Sequence, residues 1–296
     1  MCGITGFIDF SNSSINNSII RSMTNSLKHR GPDGSGFWSK EDFGIYFGHR
    51  RLSIIDLSEN GSQPFQSNSS RYIITFNGEI YNYHNLKKDI NIPLKGNSDT
   101  EILVEYIEKF GIDKTLKEAK GMFAFALWDN QDKSLILCRD RMGEKPLYYG
   151  LQNKVFMFAS ELKSLKFHPQ FDKTINKNAL SKYFTHGYIP APMSIYKNIY
   201  KLLPGHYLKI DYNVFKNDKS YKFEPIKYWS YTDQYSERKN FNLNISEREA
   251  LDQFDDLLTK AVKEQMISDV PLGAFLSGGI DSSLVTSIMQ KISSKP

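Results

Sequence analysis

The chain opens Met1-Cys2 and passes at once into an apolar stretch, Gly3-Ile4-Thr5-Gly6-Phe7-Ile8, that reads as a β-strand with a glycine-softened start. Termini commonly fray, and a cysteine at position 2 taken alone would be read that way. The residues around it argue otherwise. The Cys2 side chain is small enough for Met1 to be removed, which would leave a thiol and a free α-amine on one residue. A free thiol titrates near about 8.5 and an α-amine near about 7.7–8.0. Such an amine can accept the thiol proton near neutral pH, directly or through water, so nucleophile and base need no histidine.

An amphipathic helix is predicted next, with Ile15, Ile19, Met23 and Leu27 recurring every four residues, followed by a turn-rich loop at His29–Gly36. Short strands are predicted around FGIYFGH, RLSIIDL, YIITFNGEIYN, MFAFALWD, SLILCRD and VFMFASE. Between them lies a helix from Glu101 to Phe110, opened by the capping-box pattern Ser98-Asp99-Thr100-Glu101. This order predicts packed sheets covered by helices to about residue 215. The segment 216–245 is rich in Asn, Lys, Asp, Ser and Tyr, shows little period, and is expected to be a linker.

From Ser246 a second capping box, Ser246 with Glu249, opens a helix whose apolar side carries Phe254, Leu257, Leu258 and Ala261. A short strand, PLGAFL, a Ser277-Gly278-Gly279 turn and a helix with Leu284, Val285, Ile288, Met289 and Ile292 are predicted after it. One strand between two helices cannot complete a sheet. The segment 246–296 is therefore expected to be the start of a longer domain, poorly stable unless another chain completes it.

Hydrophobic residues make up 40% and charged residues 24%, ordinary for a globular chain. The net charge of +5 is scattered, which argues against a nucleic-acid face. No window approaches the roughly 18 apolar residues of a membrane helix, and no secretory signal is read. Cys2 and Cys138 are the two cysteines, so no disulfide framework is implied and a cytoplasmic location is expected. Cys138 is expected to be a buried small hydrophobe.

The segments CGITGF (2–7), HRGPD (29–33), RLSIID (51–56), NGEIYN (77–82), SDTE (98–101), GMFAFALWD (121–129), RDRMGEKPLYY (139–149) and ASELK (159–163) occur in this order. GYIPAP (187–192), LLPGHYL (202–208) and LSGGIDSS (276–283) follow. Together they resemble the glutamine-hydrolysing asparagine synthetases. The resemblance implies an α+β, four-layer αββα N-terminal-nucleophile fold over residues 2–215, then the linker, then a truncated α/β domain of the ATP-pyrophosphatase type over 246–296. It also implies glutamine hydrolysis at Cys2, with the ammonia aminating an ATP-activated aspartate. ATP and Mg²⁺ would serve the full enzyme, and the glutaminase half-reaction would need no cofactor; no metal ligands are assigned.

The implied roles fit the residue types. A tetrahedral oxyanion needs two donors, and Asn77 can supply a side-chain N–H and Gly78 a backbone N–H; the dipeptide alone reads equally as a hairpin turn. The family pattern gives Arg51 the glutamine α-carboxylate and Asp99 the α-ammonium with Glu79 nearby; Leu52 and Ile54 belong to the same implied set. Arg51 as a surface residue and Asp99 as a first-turn helix acid stay open. Arg30 and Asp33 are expected to shape their loop. The Ser-Gly-Gly turn leaves room for an anion at a helix start but lacks the usual P-loop pattern. By resemblance, Leu276, Ser277, Gly278, Gly279, Asp281 and Ser282 would line ATP, with Asp281 either assisting at the phosphates or capping the helix. Glutamine, ATP and aspartate are the implied partners, with a homodimer or a complementing synthetase chain left open. Two other readings remain: an amidotransferase acting on another carboxylate, and a non-catalytic glutamine-binding remnant, which a broken site would favour.

Overall fold

A computed structural model describes residues 1–10, 15–217, 221–239 and 244–294. The chain divides into two compact units, Met1–Ser53 with Ser58–Ser230, and Ile54–Leu57 with Tyr231–Pro296. The first begins with β1 (Gly3–Ile8), α1 (Asn16–Asn25), β2 (Gly34–Lys40), β3 (Ile45–Arg51), β4 (Phe65–Gln66) and β5 (Tyr72–Ile80). Three helices follow, α2 (Tyr83–Asp89), α3 (Asp99–Phe110) and α4 (Ile112–Glu118), then β6 (Gly121–Asp129), β7 (Ser134–Arg139), β8 (Tyr148–Gln152) and β9 (Val155–Ala159). Its last elements are α5 (Leu162–Leu165), α6 (Lys177–His186), β10 (Ile199–Lys201), β11 (His206–Asp211), α7 (Tyr212–Asn217) and β12 (Ile226–Lys227).

These strands form two antiparallel six-stranded sheets, ordered β10-β8-β9-β1-β3-β2 and β12-β11-β7-β6-β5-β4. Alternation along the strands sorts side chains between the layers. In β9, Phe156 and Phe158 enter the core between the sheets, while Val155, Met157 and Ala159 turn to the outer face under α1 and α5. The inter-sheet core joins Ile4, Phe47, Phe156 and Phe158 of one sheet to Ile73, Trp128, Leu135 and Leu137 of the other. Each such wholly buried side chain contributes roughly 1.5–3 kcal/mol. On the far side, α3 packs on β5 and buries Ile102, Leu103, Val104, Tyr106 and Ile107. The layers are therefore helix, sheet, sheet, helix, as expected.

Several local expectations are corrected. RLSIIDL is not a strand: β3 ends at Arg51, because its neighbours pair with it only as far as Gly3 opposite Arg50 and Gly34 opposite Arg51. Beyond that point no ladder partner lies among the described residues. At α3, Ser98 Oγ accepts from Glu101 N, but the buried Glu101 carboxylate takes Lys95 N and Gly96 N at 2.6 and 2.8 Å, so half of the box is diverted to the preceding loop. The expected linker 216–245 contains structure: β12 pairs with β11, and Tyr221 and Phe223 pack against the inter-sheet core. Aromatic side chains within a polar stretch outweighed its composition; residues 218–220 and 240–243 of that segment lie outside the described residues.

The second unit holds α8 (Tyr231–Arg238), α9 (Glu247–Glu264) and α10 (Ile280–Ile292). The Ser246–Glu249 capping box forms in full. PLGAFL does not form a strand, since among the described residues no strand lies beside it in this unit to complete a ladder. Its Phe275 is fully exposed, and Phe254 and Leu257 on the predicted apolar side of α9 are exposed too.

Candidate active site

Cys2 lies half-buried just before β1, at the centre of its sheet. Its Sγ sits 3.4 Å from the Leu52 N–H and 3.6 Å from the Leu52 carbonyl oxygen, so the main chain leaving β3 cradles the thiol. Arg30, 8% exposed in its side chain, donates from Nε to the Cys2 carbonyl at 2.9 Å and from Nη1 to Glu161 at 3.0 Å. Asp33 accepts from Ser53 N at 2.9 Å, and its own N–H donates to the Arg51 carbonyl. The HRGPD loop thus shapes itself and also holds both the nucleophile and the exit of β3.

Asn77-Gly78 is not a hairpin turn; it lies within β5. Along this strand Ile73, Thr75, Asn77 and Glu79 share one face, and that face meets the other sheet: Ile73 is in the inter-sheet core and Thr75 Oγ1 donates to the Gly48 carbonyl. Asn77 is fully buried, yet neither its Nδ2 nor its Oδ1 has a hydrogen-bond partner among the described residues. A buried unsatisfied amide costs about 1–3 kcal/mol. Next to it, His49 donates from Nε2 to the Phe76 carbonyl at 3.0 Å; burial holds its pKa down to about 3, so the ring is neutral.

The ladder decides where the Gly78 N–H points. Phe123, opposite Gly78, turns both its backbone groups toward Asp140, that is toward β7. By the alternation of antiparallel pairing, the backbone groups of Phe76, Gly78 and Ile80 point the other way, off the open edge of β5. The flanking N–H groups are taken there, Phe76 N by Gln63 Oε1 at 2.6 Å and Ile80 N by Asp99 Oδ2 at 2.9 Å. The Gly78 N–H faces the same edge between them, beyond the reach of the two-residue β4, whose nearer end, Phe65, lies opposite Ile74. A Cβ on Gly78 would lie 2.2 Å from the Met122 carbonyl oxygen and 2.6 Å from Phe123 Cα, so glycine is demanded by strand packing.

Asp99, the first residue of α3, is 5% exposed; burial, with Glu79 adding repulsion, pushes its carboxyl up to about 7. Burial likewise raises Glu79, against which Lys145 and the terminal amine act. The Cys2 thiol is raised by burial; the Leu52 hydrogen bond, the terminal amine and Arg51 oppose this, and Asp99 adds to it. The half-buried Arg51 donates from Nη1 to the Ser58 carbonyl at 2.8 Å. Of the sequence-predicted residues, Cys2, Arg51, Leu52, Asn77, Gly78, Glu79 and Asp99 thus gather in one region, where backbone bonds and mutual charge effects link them. Ile54 belongs by its contacts to the second unit. Arg30, Glu161, His49 and Lys145 were not singled out for the site, since nothing local in HRGPD, ASELK, FGIYFGH or RDRMGEKP marks their long-range partners.

A family model described as a glutamine amidotransferase domain matches residues 1–222. The chain belongs to the glutamine amidotransferase family. A second model, described as asparagine synthase, matches residues 253–296. The amidotransferase chain is 39% identical over 98% of its length to the putative asparagine synthetase [glutamine-hydrolyzing] 2 of Methanocaldococcus jannaschii, covering 57% of that protein. It is 34% identical over 97% of its length to asparagine synthetase [glutamine-hydrolyzing] 3 of Bacillus subtilis, covering 45% of it. It therefore spans about half the length of the curated relatives it matches. The glutamine phosphoribosylpyrophosphate amidotransferase of B. subtilis, solved with ADP and GMP, superposes with a TM-score of 0.54 at 19% identity. That match covers 77% of this amidotransferase and 49% of the solved chain, and it carries the N-terminal-nucleophile fold.

In the second unit the predicted nucleotide turn precedes α10. Gly278 has φ +83°, Gly279 is the N-cap of α10 with no side-chain cap, and Ser282 Oγ lies 3.0 Å from Ser277 Oγ and donates to the Gly279 carbonyl. Leu276 and Asp281 are exposed, and nothing lies within 4 Å of a Cβ placed on Gly278. Open N–H groups at a helix start, with two hydroxyls beside them, suit phosphate oxygens. Among the described residues no helix is long and apolar enough to cross a membrane, and no three His, Cys, Asp or Glu side chains cluster as a metal site.

Proposed function

We propose that this chain, once Met1 is removed, hydrolyses glutamine to glutamate and ammonia at Cys2. While Met1 is present the Cys2 nitrogen is a peptide nitrogen and cannot act as base. After removal, the α-amine takes the thiol proton, directly or through water, as sulfur attacks the amide carbon. A thiol raised by burial, as here, is neutral at rest and needs such a base. The free amine of Met1, one residue away, is already lowered by burial, which supports a neutral amine in this region.

The tetrahedral oxyanion is received by Asn77 Nδ2 and the Gly78 N–H. Collapse expels ammonia with the proton held by the amine, and water then cleaves the thioester to glutamate. Arg51 binds the α-carboxylate and Asp99 the α-ammonium, with Glu79 nearby; Leu52 holds the thiol. The observation that carries this reading is the fully buried Asn77 amide without a partner, on the strand face that meets the Cys2 sheet.

The ammonia acceptor is proposed from the relatives, which are named as glutamine-hydrolyzing asparagine synthetases. ATP held at Leu276–Ser282 would activate a carboxylate, aspartate in the first instance, and Mg²⁺ would accompany it. A second reading, amination of another carboxylate, is kept because one relative bears a name other than asparagine synthetase: amidase chry2 of Gibberella zeae is 32% identical over 99% of this chain, covering 43% of that protein. The domain division proposed is a glutaminase over 2–215 and a synthetase start over 246–296, joined by a segment 216–245 whose first part, with β12, Tyr221 and Phe223, packs onto the glutaminase, in a reducing cytoplasm that keeps Cys2 a thiol.

The test is glutamate release from glutamine by the purified chain, with mass analysis of its N-terminus and Cys2→Ala as control. Release that vanishes in Cys2→Ala supports the proposal. A Met-processed, folded chain that releases no glutamate would overturn it and favour a glutamine-binding remnant.

A further inference from the structure

Gln63 stands where a strand leaves its ladder. β4 pairs Phe65 with Ile74 and Gln66 with Ile73, so the same register continued backward would set Gln63 opposite Phe76. Pro64, between them, has no N–H to give a ladder. The backbone of Gln63 lies instead against β2 of the other sheet, where a Cβ on Gly36 would come within 1.8 Å of the Gln63 carbonyl oxygen. Its buried side chain turns back and replaces the missing ladder bond, Oε1 accepting from Phe76 N at 2.6 Å. The same amide donates from Nε2 to Thr100 Oγ1 at 3.2 Å. Acceptor and donor share one planar group, so the two bonds fix a single orientation.

Three elements of the site therefore meet at this side chain. β2 belongs to the sheet that includes β1, with Cys2 at its head; β5 carries Asn77 and Gly78; Thr100 follows Asp99 in the first turn of α3. The Phe76 carbonyl is held as well, by His49 Nε2 at 3.0 Å, from β3 of the Cys2 sheet. On the far side of Gly78, Ile80 N is held by Asp99 Oδ2 at 2.9 Å. The Gly78 N–H thus lies between two anchored points on the edge of β5. Both are tied to the first turn of α3, Ile80 directly through Asp99 and Phe76 through Gln63 and Thr100.

We propose that Gln63 is a positioning residue for glutamine hydrolysis: through Phe76 and Thr100 it fixes the Asn77–Gly78 donors between the Cys2 sheet and the first turn of α3. This rests on the glutaminase reading above. The oxyanion forms only as sulfur adds to the amide carbon, so donors held in advance favour the transition state over bound glutamine. Asp99 keeps its own bond to Ile80 N, so the end of the site that takes the ammonium does not depend on Gln63. Loss of Gln63 is therefore read in kcat and not in KM.

The experiment measures glutaminase kcat and KM for the Met-processed chain and its Gln63→Leu, Thr100→Val, Thr100→Ser and Gln63→Leu/Thr100→Val variants. Gln63→Leu should lower kcat by about 10²-fold, the scale of a misplacement of about 1 Å, with KM changed by about twofold at most. Thr100→Val, nearly isosteric, should lower kcat about tenfold, as the loss of one buried hydrogen bond would. Thr100→Ser, which keeps the hydroxyl, should recover most of that loss. The double variant should lose no more than Gln63→Leu, since both changes break one chain of bonds. Thr100→Val and Thr100→Ser carry the test if Gln63→Leu fails to fold. A kcat retained in Thr100→Val, a loss confined to KM, or losses that multiply in the double variant overturn the proposal.

A second readout needs no activity. Asn-Gly occurs at Asn60-Gly61 and Asn77-Gly78 and nowhere else in the sequence. Carbonyl-¹³C asparagine with ¹⁵N glycine therefore selects those two amide signals, and the one lost in Asn77→Ala is Gly78. That signal should move in Gln63→Leu and Thr100→Val and return in Thr100→Ser. Absent glutamate release with the Gly78 signal still answering to Gln63 and Thr100 fails the glutaminase reading alone; a Gly78 signal indifferent to both fails this one.

Discussion

Arg30 Nε donates to the carbonyl of Cys2 at 2.9 Å while Arg30 Nη1 holds Glu161 at 3.0 Å. The nucleophile's own peptide group is thereby fastened to the far end of β9, and His29 shares the same Glu161 carboxylate at 3.1 Å. A planar guanidinium serves two acceptors in one plane, which an ammonium cannot do.

Arg30→Lys should accordingly lose one of the two bonds and Arg30→Ala both. For Arg30→Ala the expected cost is roughly 1.5–3 kcal/mol, since a largely buried charge-assisted contact is removed. Thermal unfolding should fall by several degrees, and kcat for glutamine should fall with it because the thiol is no longer held.

Asn77→Ala separates a catalytic amide from a structural one. A structural asparagine loses hydrogen bonds on removal, but the side chain of this one makes none among the described residues. The melting temperature should therefore change little, whereas kcat should drop by about 10²–10³, the effect of removing one oxyanion donor. A large fall in melting temperature with kcat retained would contradict the assignment.

Asp99 links stability and binding to pH in opposite senses. Its folded carboxyl is raised to about 7 from 3.8, so its contribution to stability is present below about pH 4 and is lost as pH rises through about 7. The loss is at most about 4 kcal/mol. Asp99→Asn, which keeps an acceptor for Ile80 N, should unfold later than the parent chain at pH 8 and show no such advantage at pH 4. Glutamine needs the ionised acid, so its affinity should weaken as pH falls below about 7. Calorimetry in buffers of different ionisation enthalpy should register proton release on glutamine binding.

Gly78→Ala should be disproportionately harmful for so small a change. The new methyl meets the Met122 carbonyl and the Phe123 backbone, which no rotamer can relieve. Parting β5 from β6 is expected to cost about 1–3 kcal/mol and to misalign Asn77. Denaturant unfolding together with glutamate release would show both losses at once.

Much of the fold was legible because its signals are local. The strand at VFMFASE, the burial of Ile19, Met23 and Leu27 from the fourfold spacing, and the Ser246–Glu249 box all survive in the structure, while Ile15, first of that spacing, is exposed just before α1. The failures are places where a neighbour decided. RLSIIDL has strand-forming residues but no strand to pair with, PLGAFL likewise, and Glu101 left its box for the backbone of Lys95 and Gly96. Tyr221 and Phe223 looked like parts of a linker until the inter-sheet core took them.

By itself the sequence determined the strand and helix periods, the ordered motifs and the chemistry available at Cys2, because these depend on residue type and short spacing. Only the tertiary structure decided that Asn77 lies mid-strand with no side-chain partner among the described residues, that Gly78 directs its N–H off the open edge of β5, and that Arg30 grips Cys2. Arg30 reaches Cys2 across 28 positions and Glu161 across 131. No local pattern encodes such contacts; they arise when the sheets close on each other and water leaves the space between.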